Sequence, residues 1–295
     1  GGTVVTNDGT ILFESARNLR GDIVERLVYL LRSPKRLPQL LSGYRQLYAP
    51  WFPGGGYDFQ LAFPVTYPTY AGYYHWVVEC LPKLRTLERY RDETGKDPVV
   101  LLDPDPPSWM RESVELLTDA EIVERPRSAI RIDRLVLPSH RNHHPDDFNP
   151  SPSEYRWLRE QMFDAVGVDD SGGGRRIYIS RADADRRRVT NETAVVECLE
   201  AYSFESYTLS DLPVREQVKL FAEAETIVAP HGAGLVNMIF STDSTVFELI
   251  PQDLVFPFYQ CLADHLGHEY DYLYCEGENT DLNVDISELE SRMQH

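Results

Sequence analysis

The residues with chemical potential fall in four stretches. The first is Thr226 to Phe240, which contains Pro230, His231, Gly232, Ala233, Gly234, Leu235 and Asn237. Ile227, Val228 and Ala229 form an apolar run of strand length. Pro230 cannot continue a central strand, and Gly232 and Gly234 permit backbone angles and close approaches that other residues resist. Leu235, Met238 and Ile239 then recur at helical spacing. A strand, tight turn and helix in this order present unpaired N–H groups at the positive end of a helix dipole, a ready site for phosphate. The same spacing also suits a plain βα turn, so both readings stand.

The second stretch is Arg175 to Ser180-Arg181, a strand whose last residue lies at its C-terminal end, followed by Arg186, Arg187 and Arg188 and then Asn191-Glu192. Ligands of open α/β sheets bind outside those ends, and a guanidinium suits phosphate. The arginines answer either an anionic ligand or the surrounding carboxylates. The third stretch is Tyr73 to Leu84, where His75 and Glu79 stand one helical turn apart. They read as a base and its orienter, or as a packed histidine beside an exposed carboxylate. The fourth is Glu248 in the strand after the glycine turn, a candidate partner for ribose hydroxyls or an ordinary strand-end acid. His140, His143, His144, Asp146 and Asp147 cluster in a proline-rich stretch but match no closed zinc spacing; a solvated linker explains them.

The elements that must position these residues alternate between strand and helix. A hairpin is expected over 3–13 and a helix over 20–31. Strands are expected at 59–65, 98–102, 121–124 and 130–137, with a helix from Tyr73 to about Arg91, kinked by Pro82, and another over 108–117. In the second half, helices are expected over 153–166 (capped by Ser153), 214–224 and 256–265, and strands over 175–181, 204–209, 245–250 and 270–275. Such alternation implies parallel sheets covered by helices. The polar segment 138–152 is the expected boundary between domains 1–150 and 151–295.

With 295 residues, 42% of them hydrophobic, the chain can fill real cores, and its net charge of −18 does not imply disorder. Lysine occurs only at 35, 83, 96 and 219. An acidic, lysine-poor surface is what a high-salt cytoplasm favours, so the composition reads as that of a halophilic archaeon. The charge argues against nucleic-acid binding. No run approaches the roughly 20 apolar residues of a membrane helix. Cys80, Cys198, Cys261 and Cys275 show no paired spacing and fit reduced thiols in a cytoplasm.

Three ordered blocks together resemble glycosyltransferase family 61. They are Tyr73-Tyr-His75-Trp-x-x-Glu79-x-Leu-Pro82; Arg176-x-Tyr-Ile-Ser-Arg181 with Arg187-Arg188-x-x-Asn191-Glu192; and Phe221 through Pro230-His231-Gly-Ala-Gly-Leu-x-Asn237-x-x-Phe240 to Glu248. The blocks span roughly residues 73 to 250, and the acidic composition is similar to the prokaryotic branch. One departure is Glu79, where the family often has Asp.

The resemblance implies an α/β GT-B fold, with two Rossmann-like domains facing across a cleft. It implies an inverting glycosyltransferase that moves a sugar from a nucleotide sugar, a UDP-sugar first, to a glycan, lipid-linked or protein-linked acceptor in surface polysaccharide or glycoprotein synthesis. Donor binding then falls to Ser180, Arg187, Arg188, His231, Gly232, Ala233, Gly234, Leu235, Asn237 and Glu248. Catalysis falls to Arg181 on the leaving diphosphate and to Glu79 with His75 as base from the facing domain. No cofactor or metal is required. The partners are the nucleotide sugar and the acceptor, with no nucleic acid, at most peripheral contact with the inner face of the membrane through a lipid-linked acceptor, and a homodimer as one option. Rival readings are a non-catalytic nucleotide- or sugar-binding module, an NAD-dependent epimerase or oxidoreductase, for which no Gly-x-Gly-x-x-Gly follows an early strand, and a metal hydrolase built on His140, His143, His144 and Asp146.

Overall fold

Short β-branched and leucine-rich runs build two parallel sheets, each in its own unit. The computed structural model describes residues 58–65, 72–126, 130–138, 151–169, 172–254, 257–277 and 280–294. The expected N-terminal hairpin and helix, and the histidines of 140–144, lie outside the described residues.

The first unit takes in 58–65, 83–107 and most of 119–138. Its strands are β1 (Asp58–Pro64), β2 (Val99–Leu102), β3 (Ile122–Glu124) and β4 (Arg131–Leu135), in the order β3-β2-β1-β4. All pairings are parallel, with Ala62 opposite Val99 and Leu61 opposite Arg134. Ala62, Phe63, Val100 and Leu102 have no exposed surface, as a sheet covered on its faces requires. Helix α1 (Leu84–Thr94) stops at Gly95, whose φ of 64° supplies the left-handed C-cap.

The second unit groups 72–82 and 108–118 with the chain from 151 onward. Its parts are therefore discontinuous in sequence, and two segments that precede residue 150 belong to it. Five parallel strands make its sheet: β5 (Arg175–Ser180), β6 (Phe204–Thr208), β7 (Ala224–Pro230), β8 (Thr245–Pro251) and β9 (Glu269–Cys275), in the order β6-β5-β7-β8-β9. Chain order reverses between β5 and β7, so the crevice at their C-terminal ends is the topological switch point. The helices are α2 (Ser108–Leu117), α3 (Pro152–Val166), α4 (Glu192–Glu200), α5 (Val214–Ala222), α6 (Phe258–Leu266) and α7 (Ile286–Met293). Tyr178, Val228, Phe247, Leu249, Leu273 and Leu289 share one core, so the C-terminal helix packs back onto the sheet. Among the described residues no helix is long and apolar enough to cross a membrane.

Three local expectations need correction. Helix α3 is capped by Ser151, not Ser153. Pro152 takes the first helical position, where its missing N–H costs nothing, and Glu154 reaches back to the Ser151 N–H at 3.4 Å. The helix expected from Tyr73 is broken into an α turn (Tyr73–His75), a π turn (Trp76–Cys80) and a 3₁₀ turn (Leu81–Lys83) ahead of α1. Pro82 has no N–H, and its ring crowds the carbonyl four residues back. The chain widens to an i to i−5 bond from the Leu81 N–H to the Trp76 carbonyl rather than simply kinking. The helix after the glycine turn, Ala233–Phe240, is 3₁₀ rather than α.

Candidate active site

At the switch point β5 ends on Ser180 and runs into Arg181, while β7 ends on Pro230 and runs into His231-Gly232. Gly232 has extended backbone, φ −179°, which any residue adopts. Its requirement is space: a Cβ here would come 1.9 Å from Arg181 Nη1 and 2.6 Å from its Cζ. The Arg181 guanidinium therefore lies directly across the glycine. Gly234 is needed for another close approach, since a Cβ there would meet Leu209 Cδ1 at 2.8 Å.

The 3₁₀ helix makes its first bond from the Leu235 N–H to the Gly232 carbonyl, at 3.0 Å. The amides of Ala233 and Gly234 precede that bond, and both residues are part-exposed. Leu235 is buried and its N–H is engaged, so the part-exposed positions of the turn are the two residues before it.

Arg181 lies across the turn, and Arg187 stands close enough to feel its charge. The Nε atoms of Arg181 and Arg187 are buried and have no hydrogen-bond partner among the described residues. Burial, above all else, lowers the pKa of both guanidinium groups, and for Arg187 the neighbouring Arg181 and Arg186 lower it further. Among the described residues Arg181 Nη2 donates to the Arg186 carbonyl, at 3.3 Å. Arg187 sits at φ +58°, a left-handed conformation that non-glycine residues seldom adopt. Both side chains are part-buried, and Asp183 near Arg181 and Glu248 near Arg187 offset some of the cost, but the two buried Nε atoms go unbonded among the described residues, which is where an anion would bring relief.

Arg188 is different. Its side chain turns to Asp281, with Nη2 and Nε donating to Oδ2 at 2.8 and 3.2 Å. Ser180 is likewise engaged: its Oγ donates to Glu192 at 2.7 Å, beside the Tyr178 hydroxyl on the same oxygen, and accepts the Ala182 N–H. Asn237 has no exposed surface. It accepts from the Tyr73 hydroxyl at 2.8 Å and donates to Gln217 at 2.8 Å, while Gln217 donates to the Leu209 and Leu212 carbonyls. These three residues brace the site, and the structure does not point them at a ligand.

Glu248 is fully buried in β8, and both its carboxylate oxygens are bonded, one to His231 Nδ1 and the other to the Tyr270 hydroxyl. It orients His231 instead of opening toward ribose. The Tyr259 hydroxyl donates to the Gly232 carbonyl at 2.6 Å, and its ring meets His231 edge-on at 5.2 Å. Tyr74 packs on Tyr259 in turn, with ring centroids 5.9 Å apart.

His75 and Glu79 also belong to this unit, for a physical reason. The Tyr73 hydroxyl ties their segment to Asn237, and Trp76 Nε1 donates to Ser113 in α2 at 2.8 Å. The pair is formed, with His75 Nδ1 and Glu79 Oε1 2.8 Å apart. His75 is the more open, with 29% of its side chain exposed against 10% for Glu79. The charge of Glu79 raises the pKa of the adjacent Tyr74, after burial.

Sequence reasoning missed Tyr259, Tyr270 and Gln217. Tyr73 and Tyr74 stood inside a quoted block and carried a usable signal. Tyr259 and Tyr270 did not, because a tyrosine on an amphipathic helix or edge strand reads as packing until its hydroxyl partner is known.

Arg181 and the Gly232 turn lie together at the switch point of a parallel sheet, where open α/β proteins take their ligands. The glycosyltransferase 61 family model matches residues 73–247, more than half of the chain. The chain belongs to glycosyltransferase family 61. It is also similar to a beta-1,2-xylosyltransferase of Arabidopsis thaliana, at 24% identity over 106 residues. That match covers 36% of this chain and 20% of the plant protein, so the chain spans only a fifth of that relative's length.

Proposed function

We propose that the chain is an inverting glycosyltransferase of the GT-B type that binds the diphosphate of a nucleotide sugar at the Arg181–Gly232 turn. The observation that carries this reading is the pair of buried Nε atoms on Arg181 and Arg187 that have no hydrogen-bond partner among the described residues, with Arg181 lying across Gly232. Preorganised donors of this kind, aimed at charge that builds on a leaving group, supply a large part of catalysis. The Ala233 and Gly234 amides add backbone donors, and Glu248 acts through His231, which it holds in one orientation.

For displacement with inversion, a base must take the acceptor hydroxyl proton. Glu79 binds Nδ1 of His75, and a carboxylate there selects the tautomer that leaves Nε2 as the proton acceptor. We therefore assign the proton to His75 Nε2, with Glu79 as orienter and as stabiliser of the imidazolium. The acceptor class is a glycan, lipid-linked or protein-linked hydroxyl. The plant relative's name makes a pentose donor, UDP-xylose, the first to try. The net charge of −18 favours assays at high salt.

The test is a thermal-shift panel at high salt with UDP, GDP, CMP, dTDP, NAD and their sugars. A ligand bound only by the folded state adds about 2.7 kcal/mol at a hundredfold excess over its dissociation constant. A rise with one nucleoside diphosphate, lost in Arg181→Ala, supports the reading. A rise with NAD alone, or with none of the panel, overturns it.

A further inference from the structure

The chain beyond β9 returns to the arginine loop and grips it. Leu282 bridges to Val189 in parallel: the Leu282 N–H donates to the Arg188 carbonyl at 2.8 Å, and the Thr190 N–H donates to the Leu282 carbonyl at 2.7 Å. Asn191 closes a second ring with Val284, accepting its N–H at 3.0 Å and donating to its carbonyl at 2.8 Å. Asp281 makes the third and most polar contact. Its Oδ1 accepts the Arg188 backbone N–H at 3.0 Å, while Oδ2 takes the Arg188 guanidinium. Asp281 is only 15% exposed, against 51% for Arg188. The carboxylate thus holds the main chain of the loop as well as a side chain, immediately after the left-handed residue Arg187.

We propose that Asp281 is a positioning residue for the diphosphate site: by fixing the backbone at Arg188 it holds Arg187 in its left-handed conformation, with the guanidinium turned in toward Arg181. The inference rests on the donor-site reading above and extends the site to a segment beyond residues 73–247. A left-handed arginine persists only where its surroundings over-determine it. Here the residue before the grip is the one carrying the buried, partnerless Nε. Arg188, which stands beside Arg187 in the sequence, is the handle by which the loop is held and makes no direct contribution to the anion.

The experiment is calorimetric titration of inorganic pyrophosphate at one fixed salt concentration. It uses the full chain as wild type, Asp281→Asn, Arg187→Ala and the double variant. Asp281→Asn is expected to weaken binding about tenfold, the worth of one charge-assisted hydrogen bond. In the Arg187→Ala background the same change is expected to cost less than about twofold, because the residue it acts through is gone. A merely structural loss lowers affinity equally in both backgrounds, and that result overturns the proposal. Arg188→Ala, at an exposed side chain, is run in the same cycle and carries the test should Asp281→Asn fail to fold. Wild type that binds no pyrophosphate sinks the donor-site reading and the positioning role together. Wild type that binds, with additive or silent variants, sinks the positioning role alone.

Discussion

Replacing Gly232 by alanine separates the role of the turn from the stability of the fold. The new Cβ would stand 1.9 Å from Arg181 Nη1, where ordinary contact begins at 3.4 Å. The guanidinium must withdraw by the difference, 3.4 − 1.9, about 1.5 Å. Displacements of about 1 Å in a positioning group cost on the order of 10²-fold in rate, and loss of one such donor costs roughly 10²–10³-fold. Stability is expected to move little. The backbone at φ −179° accepts alanine without strain, alanine removes about 0.4–1 kcal/mol of unfolded-state freedom, and the atom displaced is the end of a flexible side chain. The melting temperature should therefore stay within about 2–4 °C of wild type, while sugar transfer falls about 10²-fold or more and pyrophosphate affinity falls with it. A variant that folds normally and keeps both would refute the placement of Arg181 as the group that meets the leaving diphosphate. A variant that fails to fold would show that Arg181 is wedged rigidly against the turn.

Three further outcomes follow from the same geometry. Glu248→Ala strips the acceptor from both His231 and the Tyr270 hydroxyl in a fully buried position, and should cost about 3 kcal/mol or more, read as a fall of roughly 6–12 °C in calorimetry; an unchanged melting point would contradict the buried network. His75→Ala should lower kcat by about 10²–10⁴-fold while pyrophosphate still binds, and a parallel loss of binding would place His75 in the donor site instead. His268 accepts the Ser244 N–H on Nδ1 at 3.2 Å and donates from Nε2 to the Met238 carbonyl at 2.9 Å. Burial holds its pKa below the ordinary 6.5, so its contribution is complete above 6.5 and is lost as pH falls from there through the depressed folded value. The melting temperature should therefore drop on acidification through that window, and the drop should flatten in His268→Gln.

Many strand positions were legible, though not their order in the sheet, because parallel strands buried on both faces leave short apolar runs. The run Ile227–Ala229 lies inside β7, which begins three residues earlier and takes in Pro230, and the strand expected over 245–250 is observed as Thr245–Pro251. The kind of helix after the turn was not legible. Leu235, Val236, Met238, Ile239 and Phe240 are all buried, so spacing alone could not decide between α and 3₁₀ winding. Local competition also misled at Ser153: two serines flank Pro152, and only the one before the proline can stand at the N-cap when proline takes the next position.

Local sequence was enough for the chemical cast: an α/β chain, a glycine turn after a buried strand, arginines at a strand end and a His–Glu pair one turn apart. Those are local matters of spacing, propensity and charge. Tertiary structure decided which members of the cast are left to act. Arg187 Nε is unbonded among the described residues, while its neighbour Arg188 is taken by Asp281, far along the chain. Glu248 and Asn237 are turned inward by Tyr270, Tyr73 and Gln217, none of them a sequence neighbour. Whether a polar group is satisfied depends on every group that folding brings within about 3 Å of it, and that sum has no local signature in the sequence.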